Sequence, residues 1–151
     1  LLIMFSILFI SCEKEDQHAN KLHGKDGVWT IETIQYVGYD STGNVLYDST
    51  VAAPGELIFF STTSLNALYG YYQGVYLDYN SNAGSVLEYM VDGSRANIQS
   101  VDPIDPLGLS KVWTLTKEGS RKQEWTYVSF KTAPFTLNQK MVMHLRSKNA
   151  F

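Results

Sequence analysis

The sequence predicts an all-β domain, a closed antiparallel up-and-down β-barrel of about eight strands. From Gly27 onward, apolar and polar residues alternate with a period of two, and turn-forming residues recur about every eight to twelve positions. No segment sustains the 3.6-residue period of a helix. The chain of 151 residues contains ten tyrosines, seven phenylalanines and three tryptophans, and aromatic residues favour strands. Strands in this order can close as a barrel or stack as a β-sandwich, and the pattern leaves both open.

The first half of the domain contains four predicted strands. The first strand places Trp29, Ile31 and Val37 on one face and Val28, Ile34 and Tyr36 on the other. It ends at a turn over Asp40–Asn44, whose Gly43 and Asn44 tolerate positive φ. Pro54 and Gly55 separate the next two strands, because proline interrupts strand pairing. The predicted strands are Val28–Tyr39, Val45–Val51, Glu56–Ser61 and Leu68–Tyr79.

The second half begins with a turn at Ser81–Gly84 and a strand that carries Leu87, Tyr89 and Val91 on one face. Asp92-Gly93 is a strong two-residue hairpin signal, so the strand after it is expected to pair back. Two prolines make residues 102–108 a loop. The remaining predicted strands are Arg95–Val101, Lys111–Lys117, Arg121–Lys131 and Phe135–Leu145, the last with Phe135, Leu137, Met141, Met143 and Leu145 facing inward.

The N-terminal segment predicts export. Leu1–Ser11 is uncharged and matches the apolar region of a secretory signal, whereas a membrane-spanning helix needs about 20 apolar residues. Cys12 follows directly and is the single cysteine, which excludes an intramolecular disulfide. Residues 13–26 are polar and are expected to form a flexible tether. The alternatives are an ordinary signal peptide, or a buried apolar strand, with an incidental cysteine.

The run Leu8-Phe9-Ile10-Ser11-Cys12 resembles the lipobox of bacterial lipoproteins. The resemblance implies that residues 1–11 are a signal peptide, that Cys12 is acylated, and that Cys12 with the tether up to residue 26 holds the domain to a membrane. Several acyl chains give stable anchoring, at about 0.8 kcal/mol for each buried methylene. Glu13-Lys14-Glu15-Asp16 is similar to the surface-export tag of some Gram-negative lipoproteins, which implies the outer membrane of the cell envelope.

Gly27-Val28-Trp29 at the start of the first strand, with Arg146 after the last, resembles the lipocalin pattern. The resemblance implies a lipocalin-like barrel over residues 27–151, with Trp29 at its closed end. It also implies that Arg146 lies over Trp29 in a cation–π contact of about 0.5–2 kcal/mol, so that Gly27, Trp29 and Arg146 have structural roles. The family's other signatures and its usual disulfide are absent. The whole chain resembles the short lipocalin-like lipoproteins of Gram-negative bacteria.

The net charge and the absence of known motifs limit the classes of function that the sequence predicts. The net charge is −3 with no basic cluster, so nucleic acid is not an expected partner. No Gly-x-Ser-x-Gly, His-Glu-x-x-His or phosphate-binding glycine loop occurs, so we expect no enzymatic activity and no cofactor. His144 is expected on the outer surface, opposite Met143 and Leu145. A hydrolase with an unrecognised site is the remaining catalytic alternative.

Two patterns raise the question of a metal, and neither predicts a site. His18 and His23 are five residues apart with no other obvious ligand nearby, which is typical of a solvated linker. Residues 78–84 resemble a calcium loop, but the loop requires glycine at its sixth position and glutamate at its twelfth. Ala83 and Tyr89 occupy those positions here, and Asx residues also dominate plain turns.

Binding is therefore the expected activity, and two forms of it remain open. In the first, the barrel holds a small apolar or amphiphilic molecule against rings that combine apolar area with one hydrogen-bonding group. In the second, the rings fill the barrel, about three of them face outward, and loops such as Asp102–Gly108 dock on another envelope protein. The candidate ligand-binding rings are those of Tyr69, Tyr71, Tyr72, Tyr76, Tyr89, Trp113 and Trp125.

Overall fold

A computed structural model describes residue 22 and residues 27–63, 71–103, 105, 107–130 and 137–148. The predicted signal segment, Cys12, the tether other than Leu22, and two predicted inward or ligand-binding residues, Tyr69 and Phe135, lie outside the described residues. The predictions made for them stay predictions.

The described chain forms a closed barrel of eight antiparallel strands in sequence order, in which β1 pairs with both β2 and β8. The predicted up-and-down barrel is confirmed, and the sandwich alternative is excluded because the first and last strands join. The strands are β1 (Val28–Tyr39), β2 (Val45–Thr63), β3 (Tyr72–Asp78), β4 (Gly84–Asp92), β5 (Arg95–Ser100), β6 (Val112–Glu118), β7 (Lys122–Phe130) and β8 (Leu137–Ser147).

The strand β2 differs from the prediction, because it continues through Pro54 instead of ending there. Its register with β1 shifts at this point, from Ile31 opposite Gly55 to Thr33 opposite Ala52. This irregularity in β1 brings Ile34 and Tyr36 to the same core as Trp29 and Ile31, so their predicted placement on the opposite face is wrong. Ala53 has a φ of 44°, and such a bulge admits a proline because the ladder is already interrupted. One long bent strand therefore replaces the two predicted ones.

The barrel interior is filled by alternating side chains from all the strands. Phe59 is central: its ring centroid lies 4.8 Å from that of Tyr89 and 5.8 Å from that of Trp125. Edge-to-face and tilted contacts at these distances are favourable beyond the area they bury. The largest fully buried side chains include Trp29, Trp113, Trp125, Tyr76, Tyr89, Ile31, Ile34, Leu57, Ile98 and Met141.

Described residues cover both ends of this interior. At the end where β1 begins, the indole N–H of Trp29 donates to the carbonyl of Leu22 at 2.8 Å, and Leu22 is completely buried. At the other end, the connection between β5 and β6 folds back over the barrel: Leu109 is buried, and its carbonyl accepts from the indole of Trp113 at 3.0 Å. The hydroxyl of Tyr36 donates to the carbonyl of Leu107 in the same connection at 3.0 Å.

Arg146 does not lie over Trp29, and the predicted cation–π contact is wrong. The residue belongs to β8, opposite Thr30, and its side chain is 53% exposed on the outer face, where it forms an ion pair with Glu32. Trp29 faces the interior beside Ser147. Arg146 and Ser147 are successive residues of β8, and successive strand residues point to opposite faces. The barrel wall therefore separates the side chain of Arg146 from that of Trp29.

Candidate functional site

The candidate ligand-binding rings divide between the interior and the outer surface. Tyr76, Tyr89, Trp113 and Trp125 are fully buried inside the barrel. Tyr72 is half-buried and stacks on Tyr89 with centroids 5.5 Å apart.

Tyr71 is the exception among the described candidates. Its hydroxyl accepts from the side chain of Asn97 at 2.8 Å, and Asn97 lies between the inward-facing Ala96 and Ile98. Asn97 therefore points outward, and the ring of Tyr71 lies over the outer wall. The prediction thus grouped residues that the barrel wall separates.

The hydrogen-bonding groups of the four buried rings are already occupied by the protein itself. Burial raises the pKa of Tyr76 to about 12 and also raises that of Tyr89, so both hydroxyls stay protonated and donate. The hydroxyl of Tyr76 donates to the carbonyl of Pro54 at 3.0 Å, and that of Tyr89 to the carbonyl of Phe60 at 2.8 Å. The indole N–H of Trp113 donates to the carbonyl of Leu109 at 3.0 Å, and that of Trp125 to the side-chain oxygen of Gln123 at 2.8 Å. These groups stabilise the fold and are not directed at a ligand.

One surface cleft, of about 430 Å³, lies beside the sequence that resembles a calcium loop. The carboxylate of Asp78 accepts from the backbone N–H of Asn80 at 2.7 Å and of Ser81 at 3.2 Å, and Asn82 has a φ of 54°. This is an Asx turn that connects β3 to β4. Among the residues that the structure describes, no group of three or more His, Cys, Asp and Glu is placed to hold a metal ion.

A second cleft, of about 240 Å³, lies over β6, β7 and β8 and contains Glu124. Hydrogen bonds from Lys117, at 2.7 Å, and Thr116 lower the pKa of Glu124. Nδ1 of His144 is 3.8 Å from the same carboxylate, and His144 points outward as predicted. Lys117 and His144 are both well exposed, so solvent screens these charges and the cluster contributes little energy.

A buried carboxylate lies on the outer face where β8, β1 and β2 meet. Glu56 is buried and accepts from the hydroxyl of Tyr79 at 2.6 Å and from Nζ of Lys148 at 2.8 Å. Burial opposes ionisation, but the bonds from Lys148 and Tyr79 together outweigh it and hold the pKa of Glu56 below its ordinary value. The three residues are far apart in sequence, so only the closed barrel brings them together.

Among the residues that the structure describes, the most exposed apolar surface is the first half of β2, residues Val45–Ala53, which we call the β2 arm. Every residue of the arm is exposed, including Val45 at 58%, Leu46 at 66% and Tyr47 at 48%. Apart from the Asp48 carboxylate, which accepts from Gln35 at 2.9 Å, the arm carries no charge. The strand Val45–Val51 was predicted from the sequence, but its exposure was not, because alternation does not reveal which neighbours a strand has.

The β2 arm is also an open sheet edge. It pairs with β1 on one side, from Ala52 opposite Thr33 to Val45 opposite Tyr39. On the other side, β3 accompanies β2 only from Gly55 onward, with a last bond from the N–H of Tyr79 to the carbonyl of Pro54. Among the strands that the structure describes, none pairs with the second edge of the arm.

The described residues contain no helix long and apolar enough to cross a membrane. Neither the protein-family models nor the curated proteins include a match to this chain.

Proposed function

We propose that this protein is a lipid-anchored, non-enzymatic interaction module of the bacterial cell envelope, in which a filled barrel acts as a rigid support for its outer surface. The observation that supports this proposal is the contrast between the two surfaces. The buried rings bond to the protein's own backbone and side chains, whereas apolar side chains of the β2 arm are exposed to solvent. Exposed apolar patches on small domains mark sites of protein association.

The anchor in this proposal is Cys12, with acyl chains in the outer membrane of a Gram-negative bacterium. Its support is the lipobox-like run that ends at Cys12 and the acidic and lysine cluster that follows. The Cys12→Ser variant is expected to move from the membrane fraction to the soluble fraction with an unchanged melting curve. A variant that still sediments with membranes would refute the lipid anchor.

Capture of a small apolar molecule is the competing function, and the aromatic composition of the interior favours it. Native mass spectrometry separates the two functions when it is applied to the soluble form released by Cys12→Ser and purified without detergent. A bare mass is the expected result, because the interior side chains that the structure describes are almost completely buried against one another. Extra mass that disappears on denaturation would refute the filled barrel and identify the ligand class.

A further inference from the structure

We propose that the partner of the β2 arm is the β2 arm of a second copy, so that the protein pairs edge to edge as a twofold dimer. This inference rests on the proposed function, since it names the partner of the surface described there. An open edge presents unpaired N–H and C=O groups to any second strand, and natural edges are usually protected by lysine, proline or a bulge. The arm has no lysine, and its bulge and proline lie at its end, next to Gly55.

The arm is rigid enough to act as a template. At its tip, the carboxylate of Asp40 accepts from the N–H of Thr42 at 2.8 Å and of Asn44 at 2.9 Å. Gly43 has a φ of 88°, as this turn requires. The ring of Tyr47 covers Gly38, and its hydroxyl accepts from Gln139 at 3.3 Å. A second strand therefore meets a formed surface, and little ordering entropy opposes pairing.

Symmetry restricts the possible registers. In an antiparallel pair, residues directly opposite each other are either both hydrogen-bonded or both not hydrogen-bonded. The backbone N–H and C=O groups of every second residue point to the open edge, and these are the same residues in both copies. The twofold axis must therefore place one residue directly opposite the same residue of the partner. An axis at Asp48 brings two carboxylates face to face, which is unfavourable. An axis at Ser49, the middle of Val45–Ala53, pairs the arm along its whole length.

The register about Ser49 also matches side chains by chemistry. Tyr47 and Val51 share a face, because their β1 partners Gly38 and Ile34 are both on the inner face. Around Ser49, Tyr47 of each copy lies opposite the partner's Val51, so apolar residues meet on this face. On the other face, Asp48 meets the partner's Thr50, so no like charges meet. The apolar and charged residues of the arm are therefore self-complementary in this register.

Two lysine substitutions at adjacent exposed positions test the register. Ser49→Lys brings two ammonium groups together on the axis and is expected to raise the dimer dissociation constant about fivefold or more. Thr50→Lys sets a lysine against the partner's Asp48 and is expected to leave the dimer unchanged or tighter. Light scattering of the protein in a non-ionic detergent gives the protein mass, which for the dimer is twice the mass of one chain. Because acylated and unacylated chains can both be measured in this way, the test is independent of the anchor.

Cysteine cross-linking gives a second readout, in full chains that carry Cys12→Ser. Ser49→Cys places two thiols on the axis with Cα atoms about 5 Å apart, a distance that a disulfide bridges. Val45→Cys, on the same exposed strand, separates the two Cα atoms by about 27 Å and is the control. A covalent dimer from Ser49→Cys alone is expected. Equal cross-linking of both variants, or of neither, overturns the proposal.

The remaining outcomes identify other occupants. A monomer whose arm amides are protected from hydrogen exchange would mean that another segment of the same chain covers the arm, and this overturns self-pairing. A monomer whose arm substitutions release a different envelope protein also overturns it, but leaves the proposed interaction module standing. An occupied, ligand-filled barrel in native mass spectrometry would instead refute the proposed function, whatever the oligomeric state.

Discussion

The two halves of β2 have opposite surroundings, although they form one continuous strand. After the bulge at Ala53, Glu56, Leu57 and Phe59 are all buried between β1 and β3. Before the bulge, every residue is exposed, and β1 is the one described strand that pairs with it. Both halves contain apolar, β-favouring residues, so composition does not distinguish them. The number of flanking strands determines whether a given side chain stabilises the fold or is available to a partner.

The largest expected effect comes from a matched pair of leucines in the two halves. Leu57→Ala removes a completely buried side chain opposite Trp29 and is expected to lower the free energy of unfolding by about 2–5 kcal/mol. Leu46→Ala makes the same chemical change at an exposed position and is expected to change it by less than about 0.5 kcal/mol. Urea unfolding of both variants measures the difference. Equal losses would mean that the arm is packed like the rest of the strand.

A smaller effect is expected at Glu56, on the outer face of the buried half. Glu56→Gln weakens hydrogen bonds to Lys148 and Tyr79 and is expected to cost about 1–2 kcal/mol at neutral pH. The pKa of Glu56 is lower in the folded state than its ordinary value of 4.5, so its contribution is complete above that value.

Because the pKa of Glu56 is lowered, its contribution to the free energy of unfolding depends on pH. As the pH falls through this pKa, Glu56 is protonated and the contribution is lost, so the stability difference between the wild type and Glu56→Gln should close. Urea unfolding at several pH values between about 7 and 3 measures this difference. A difference that stays constant over the whole series would contradict the assigned ion pair.

The smallest effect is expected at Arg146, which pairs with Glu32 where β8 meets β1. Because the pair is exposed, Arg146→Met is expected to cost less than about 1 kcal/mol. Trp29 lies on the other face of the wall, so its environment should not change. The indole N–H resonance of Trp29 in the NMR spectrum reports this environment without any change to the buried tryptophans. A resonance shifted by Arg146→Met would support the contact that the lipocalin resemblance implied.

Local patterns predicted much of the fold. Val28–Tyr39 was predicted with the bounds that β1 has. The predicted hairpin between β4 and β5 is also present, but Asp92 pairs with Arg95, so the two turn residues are Gly93, with a φ of 55°, and Ser94, one position later than the Asp92-Gly93 signal. These features depend on alternation and turn chemistry within a few residues. Barrel closure depends on the pairing of β1 with β8, across almost the whole domain, so the sequence left the barrel and the sandwich open.

The candidate site was less predictable, for the same physical reason. Alternation identifies two faces of a strand, but it does not say which face is inside, as Tyr71 illustrates beside Tyr72. The lipocalin resemblance placed Arg146 over Trp29. Ser147 is the residue opposite Trp29, so Arg146 is one position away along β8 and its side chain lies on the outer face of the barrel. The β2 arm is exposed because β3 is short, and the length of a neighbouring strand is not encoded in the residues of the arm.

The pairing of β1 with β8 also affects how the chain is made. Trp29 lies opposite Ser147, so the barrel cannot close until nearly the last described residue has been synthesised. Until then, β1 has an unsatisfied edge, and the growing chain is a target for proteases and for wrong strand pairing. Contacts this distant in sequence also make folding slow. A chain truncated before β8 would keep an open edge on β1, so proteases would degrade it in preference to the full-length chain.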